Sequence, residues 1–131
     1  MDKIPANAMV VVADGTGARV FRNVGSDGAL SLQQKETLTP QNIDDEGPSG
    51  SSPPEQSPNQ NDEATFAKQL AKRLNHGALT NAYAKLVLVA DPQTLGQMRP
   101  QLHKETLQRM HGELAKTLTN SSQQDIERAL S

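Results

Sequence analysis

The chain has no cysteine and no tryptophan, and only one tyrosine and two phenylalanines in 131 residues. Without cysteine there is no disulfide frame, no thiolate nucleophile and no zinc–thiolate site. So few aromatic rings exclude base stacking on an aromatic platform as the main route to nucleic acid. Positive charge is short as well: 13 Lys and Arg stand against 15 Asp and Glu, giving a formal charge of −2. A broad basic face for DNA is therefore not expected. No apolar run approaches the roughly 18 residues of a membrane span. The N-terminal MDKIPANAMVVVAD lacks the length and small-residue cleavage pattern of a signal peptide, so the chain reads as cytoplasmic, away from membranes. No P-loop, dinucleotide fingerprint or Gly-x-Ser-x-Gly elbow occurs, and no cofactor is expected.

What is present is patterned. Ala8–Ala13 (AMVVVA) is an apolar, β-branched run stopped by Asp14-Gly15, as a strand buried on both faces reads. Gly17–Val24 follows as a second strand in a hairpin, with Ala18, Val20 and Asn23 toward one side. Leu30–Lys35 alternates as a half-exposed third strand. Phe66, Ala67, Leu70, Ala71, Leu74 and Ala78 recur at helical spacing after a cap at Asn61, and Gly77 is placed to end or bend that helix. Lys85–Ala90 is a second such strand, apolar from Leu86 onward. Asp91-Pro92 then caps a helix carrying Leu95, Met98 and Leu102, which Pro100 should kink or split. Met110–Leu118 has helix propensity, and Ser121 or Ser122 opens a last helix bearing Ile126, Ala129 and Leu130.

A strand, helix, strand order makes a crossover, so the strands flanking the first helix should be parallel neighbours. The whole reads as one domain over residues 1–131. Its expected fold is α/β with a mixed sheet, in the order β-β-β-α-β-α-(β or α)-α, which resembles the ribonuclease-H-like arrangement. Between strand three and the first helix lies TPQNIDDEGPSGSSPPEQSPNQN, Thr39–Asn61, holding five of the eight prolines and one sizeable apolar residue, Ile43. Its composition is that of a flexible, disordered loop, which a fold tolerates because closure entropy grows slowly with length.

Candidate site residues are few. Asp14 and Asp91 follow the two apolar strands and would converge at one end of the sheet. There they would serve either a carboxylate metal site, with Asp44 and Asp45, or ordinary turns and caps. Arg19 lies near the Asp14 turn and faces away from Arg22, with an ion pair to a carboxylate as its expected role. Lys68, Lys72 and Arg73 form a small basic patch at helical spacing, read as a solvated face or a binding surface. His76, His103 and His111 lack ligand spacing.

Three stretches, VVVADGTGARVFRNV, FAKQLAKRLN and KLVLVADPQTLGQMRPQL, resemble a bacterial family called host attachment protein. The likeness rests on Ala13-Asp14-Gly15, Ala18-Arg19-Val20, Glu63, Phe66, Ala67, Leu70, Pro92, Leu95 and Gly96. That family is similar in fold to the middle domain of archaeal and eukaryotic class-I release factors. The resemblance implies a fifth strand over Met110–Thr117, against local propensity, hence a three-layer, five-stranded mixed sheet (β-β-β-α-β-α-β-α), and contacts with a protein partner or the ribosome. In release factors the loop before the first helix carries a Gly-Gly-Gln that positions water on the peptidyl-tRNA ester. Thr39–Asn61 stands at that place. It has Gly47, Gly50, Gln41, Gln56 and Gln60 but no Gly-Gly-Gln, and it carries Asp44, Asp45, Glu46 and Glu55 with no Lys or Arg. An acidic loop is repelled by RNA phosphates. The expectation is therefore a non-catalytic binding protein. The alternatives are a peptidyl-tRNA hydrolase using Gln56 or Gln60, or a carboxylate-metal nuclease.

Overall fold

The computed structural model describes residues 3–26, 29–43 and 62–131. Five strands form the expected mixed sheet: β1 (Met9–Asp14), β2 (Gly17–Asn23), β3 (Leu32–Leu38), β4 (Leu86–Ala90) and β5 (Met110–Ala115). Their spatial order is β3-β2-β1-β4-β5. β1 pairs antiparallel with β2 and parallel with β4, so the crossover through the first helix places its flanking strands side by side.

Because β1 and β4 are central, both their faces are covered and both read as continuous apolar runs. Val11, Ala13, Leu86, Leu88 and Ala90 face one layer, and Val10, Val12, Val87 and Val89 face the other. The first layer is α1 (Asp62–Leu79) with α2 (Pro92–Met98) and α3 (Lys104–Arg109). The predicted stripe of α1, from Phe66 to Ala78, is buried on the sheet. The second layer is α4 (Gln123–Leu130), which buries Ile126 and Leu130 together with Ile4 of the N-terminal segment. Ala129, expected to join them, is exposed.

α1 does not end at Gly77. The Ala82 N–H donates to the Gly77 carbonyl and the Asn81 N–H to that of Ala78, with Asn81 left-handed at φ 60°. That is a Schellman closure, and asparagine is the residue that tolerates it after glycine. Gly77 has a different task. A Cβ there would meet Cε2 of the buried Tyr83 ring at 2.9 Å, and the Tyr83 hydroxyl is tied to the Leu74 carbonyl at 2.7 Å. Alanine gains about 1 kcal/mol of helix propensity over glycine. Gly77→Ala should nevertheless lower stability by about 1–2 kcal/mol, read by urea denaturation, because the anchored ring has nowhere cheap to move.

Pro100 splits its helix as predicted: α2 runs into a 3₁₀ turn at Arg99–Gln101 and then α3, whose cap is His103, accepting from the Glu105 N–H at Nδ1. α4 is capped by Ser122, which accepts from Asp125. Met110–Ala115 is a strand because it completes the ladder on the open edge of β4, which outweighs a weak helix propensity.

β1, β4 and β5 differ from the sequence reading by one or two residues at their ends, and β2 and β3 differ in facing as well. β2 stops at Asn23, whose parity puts it with Phe21 and not with Ala18 and Val20. β3 starts at Leu32 and runs on to Leu38, because Val20 pairs with Glu36 and Phe21 with Gln34, leaving Lys35 as an extra residue. This bulge reverses the facing of the strand. Leu32 and Leu38 have equal parity and would share a face in a regular strand; here Leu32 packs with the α4 layer and Leu38 with the α1 layer.

Candidate functional site

Asp14 ends β1 and Asp91 follows β4. Ala13 is in register with Ala90, so both carboxylates emerge at the same end of adjacent parallel strands. The convergence expected from the sequence therefore occurs, and each oxygen of the two carboxylates accepts at least one hydrogen bond. Asp14 Oδ1 accepts from the Thr16 N–H (2.7 Å), the Thr16 hydroxyl (2.7 Å) and the Gly17 N–H (3.1 Å), fixing the β1–β2 turn. Its Oδ2 accepts from the Thr119 hydroxyl at 2.6 Å. Asp91 caps α2, accepting from the Thr94 N–H (3.1 Å) and hydroxyl (2.7 Å). Among the described residues no group of three or more His, Asp or Glu is placed to hold a metal ion. Asp44, Asp45, Gln56 and Gln60, like the predicted cap Asn61, lie outside the described residues.

Partial burial pushes the Asp14 carboxyl up, but the hydrogen bonds from Thr119, Thr16 and Gly17 outweigh it and hold the group below its ordinary 3.8. A carboxylate so held is a weak base, suited to fastening and not to proton abstraction. Its stabilising contribution is present above pH 3.8 and is lost as pH falls through the lower folded value. The difference in melting temperature between wild type and Asp14→Asn should thus be largest near neutrality and narrow below that pH.

Arg19 completes the same fastening. Among the described residues its expected ion pair is replaced by backbone carbonyls, which the loop entering α4 brings to the guanidinium. Nη1 donates to Thr119 (3.1 Å) and Ser121 (2.7 Å), and Nε donates to Gln34 Oε1 (3.2 Å). The guanidinium also lies over the Phe21 ring, 5.1 Å from its centroid. Asp14 and Arg19 together tie the first hairpin to the loop that leads into α4. Thr119 and Ser121 escaped the sequence reading because nothing local marks a partner about a hundred positions away.

The basic patch divides. Lys68 and Lys72 stay exposed on α1, along a shallow groove of about 300 Å³ shared with Asn75 and Gln101. Arg73 turns from them toward the sheet, where it pairs with Glu36 at 3.2 Å and donates to the Ile43 carbonyl at 3.3 Å. No helix among the described residues is long and apolar enough to cross a membrane.

The decisive comparison is at family level. The sequence profile of bacterial archaeo-eukaryotic release factor family 12 matches residues 7–130. The chain belongs to that family. No curated protein matches it. The release-factor half of the sequence resemblance thus has support, while host attachment is no part of the family's description. Within this family 12 chain the match runs through the stretch where the resemblance implies a catalytic tripeptide, and the sequence there has none.

Proposed function

We propose that this family 12 chain is a non-catalytic protein of the cytoplasm that acts by contact with the ribosome or a ribosome-linked protein. The observation that carries this reading is residues 39–61. By the resemblance they stand where a release factor carries its catalytic loop, yet they hold four carboxylates, no Lys or Arg and no Gly-Gly-Gln. Support also comes from Asp14 and Asp91, the best-placed acidic pair, whose oxygens are engaged in turns and a helix cap. The contact surface proposed for RNA phosphates is the exposed Lys68–Lys72 face of α1. Any attachment phenotype, as the host attachment resemblance implies, would follow indirectly from such contacts.

The test is co-sedimentation with ribosomes beside an assay of peptidyl-tRNA hydrolysis on stalled complexes. Binding that weakens about tenfold in Lys68→Glu/Lys72→Glu, with no ester cleavage, is the expected result. Cleavage abolished by Gln56→Ala or Gln60→Ala would instead establish the hydrolase, the reading that family membership itself favours. A melting temperature that rises with Mg²⁺ or Mn²⁺ and fails to rise in Asp14→Asn would establish the metal site.

A further inference from the structure

A cleft of about 370 Å³ lies between the C-terminal half of α1 and the β2–β3 side of the sheet. It falls within the roughly 300–1,000 Å³ range of small-molecule pockets. Its apolar lining includes Met9, Val20, Leu38 and the ring of Tyr83. Its charged lining is Arg22, Lys35, Arg73, His76 and Glu36. Three permanent cations and one carboxylate leave an excess of two positive charges among the described residues, in a chain whose formal charge is −2.

This concentration is built by the fold. The bulge at Lys35 breaks the alternation of β3, so the consecutive Lys35 and Glu36 both border the cleft. Arg22 is held in place by the carbonyls of Asn7 (3.0 Å) and Ala82 (3.4 Å), and Arg73 by Glu36 and the Ile43 carbonyl. Cations fixed in this way lose little entropy when an anion arrives. The missing side chain at Gly77 leaves room for the Tyr83 ring in the same wall.

From these features we infer that the cleft binds a small phosphate monoester with a ring-sized apolar body. The apolar lining takes the body. The phosphate dianion matches the two excess charges, with Lys35 and His76 reaching it from opposite walls, β3 and α1. The site is separate from the exposed Lys68–Lys72 face and does not depend on the ribosomal reading.

The experiment is an NMR titration of the ¹⁵N-labelled chain with phenyl phosphate, inorganic phosphate and benzyl alcohol in parallel. Phenyl phosphate should give saturable shifts of the Gly77, Thr80 and Ala82 amides at about 1 mM or below, with the other two compounds at least about tenfold weaker. Lys35→Glu and His76→Glu, both at exposed positions, should each weaken phenyl phosphate about tenfold, while Lys68→Glu leaves it unchanged. Unaltered melting temperatures confirm that the variants are folded. Absence of saturable shifts at those amides, or unchanged affinity in both cleft variants, overturns the assignment. Inorganic phosphate binding as tightly overturns the apolar half of it, and benzyl alcohol binding as tightly overturns the phosphate half.

Discussion

Asn23→Leu is expected to lower the stability of the fold by about 3–5 kcal/mol, measured by urea denaturation. Asn23 is fully buried, and its amide uses all of its hydrogen-bonding capacity. Nδ2 donates to the carbonyls of Ile4 and Pro5, both at 3.1 Å. Oδ1 accepts from the N–H groups of Gly25 (2.9 Å) and Ser31 (3.1 Å). One side chain thereby satisfies four backbone groups, joining the N-terminal segment to the β2–β3 connection. Leucine has nearly the same volume, so the loss would come from stranded polar groups and not from a void. Each such group costs about 1–3 kcal/mol when desolvated. Asn23→Asp offers a sharper version. The carboxylate keeps the two N–H contacts but faces two carbonyl oxygens, so this variant should be stabilised by acid, opposite to the Asp14 trend. A loss under about 1 kcal/mol in Asn23→Leu would show that water or movement of the segment replaces the clasp.

Asn23 also shows why some of the fold was legible in the sequence and some was not. β1, β4 and α1 were readable because burial dominates each: two strands apolar at every residue except Asp14 at the end of β1, and one helix with an unbroken stripe. Their parallel adjacency followed from the order of elements alone. β3 was misplaced because its facing depends on the Lys35 bulge, and polar Gln33, Gln34, Lys35 and Glu36 carry no hydrophobic signal of parity. β5 was legible only through family resemblance, since its residues favour a helix until the edge of β4 offers them a ladder. At the candidate site the carboxylates could be placed from sequence, since Asp before Gly or Pro after an apolar strand has a predictable address. The destinations of their oxygens could not, because Thr119 is brought in by the packing of α4. The cleft was invisible for the same reason: its cations come from β2, β3 and α1, and none neighbours another in a recognisable motif.

Ile43→Ala is expected to cost about 2–4 kcal/mol in the same denaturation experiment, with Gln41→Ala changing stability by less than about 0.5 kcal/mol. From the sequence Ile43 stands in a flexible stretch beginning at Thr39, where truncating it should matter little. The structure moves it into the core: Ile43 is buried with Leu38, Phe66, Leu70 and Leu74 on the α1 face of the sheet. Residues 39–43 form a turn in which the Thr39 N–H donates to Asn42 Oδ1 (2.8 Å), the Asn42 N–H to Thr39 Oγ1 (3.2 Å) and the Ile43 N–H to the Thr39 carbonyl (2.9 Å). Arg73 then fixes the Ile43 carbonyl. An isolated isoleucine in a polar segment is weak evidence of burial, since apolar residues scattered singly on surfaces are common. What decides the matter is that β3 delivers the chain directly over the apolar patch of α1. The consequence for function is that the described chain before residue 44 ends on an anchor, a residue fastened into the core. If Ile43→Ala lowers stability as expected and also weakens ribosome co-sedimentation while Gln41→Ala affects neither, the anchor contributes to that contact. If stability falls and co-sedimentation holds, the contact is made by the Lys68–Lys72 face. A loss of stability below about 1 kcal/mol would return Ile43 to the flexible stretch that the sequence alone suggests.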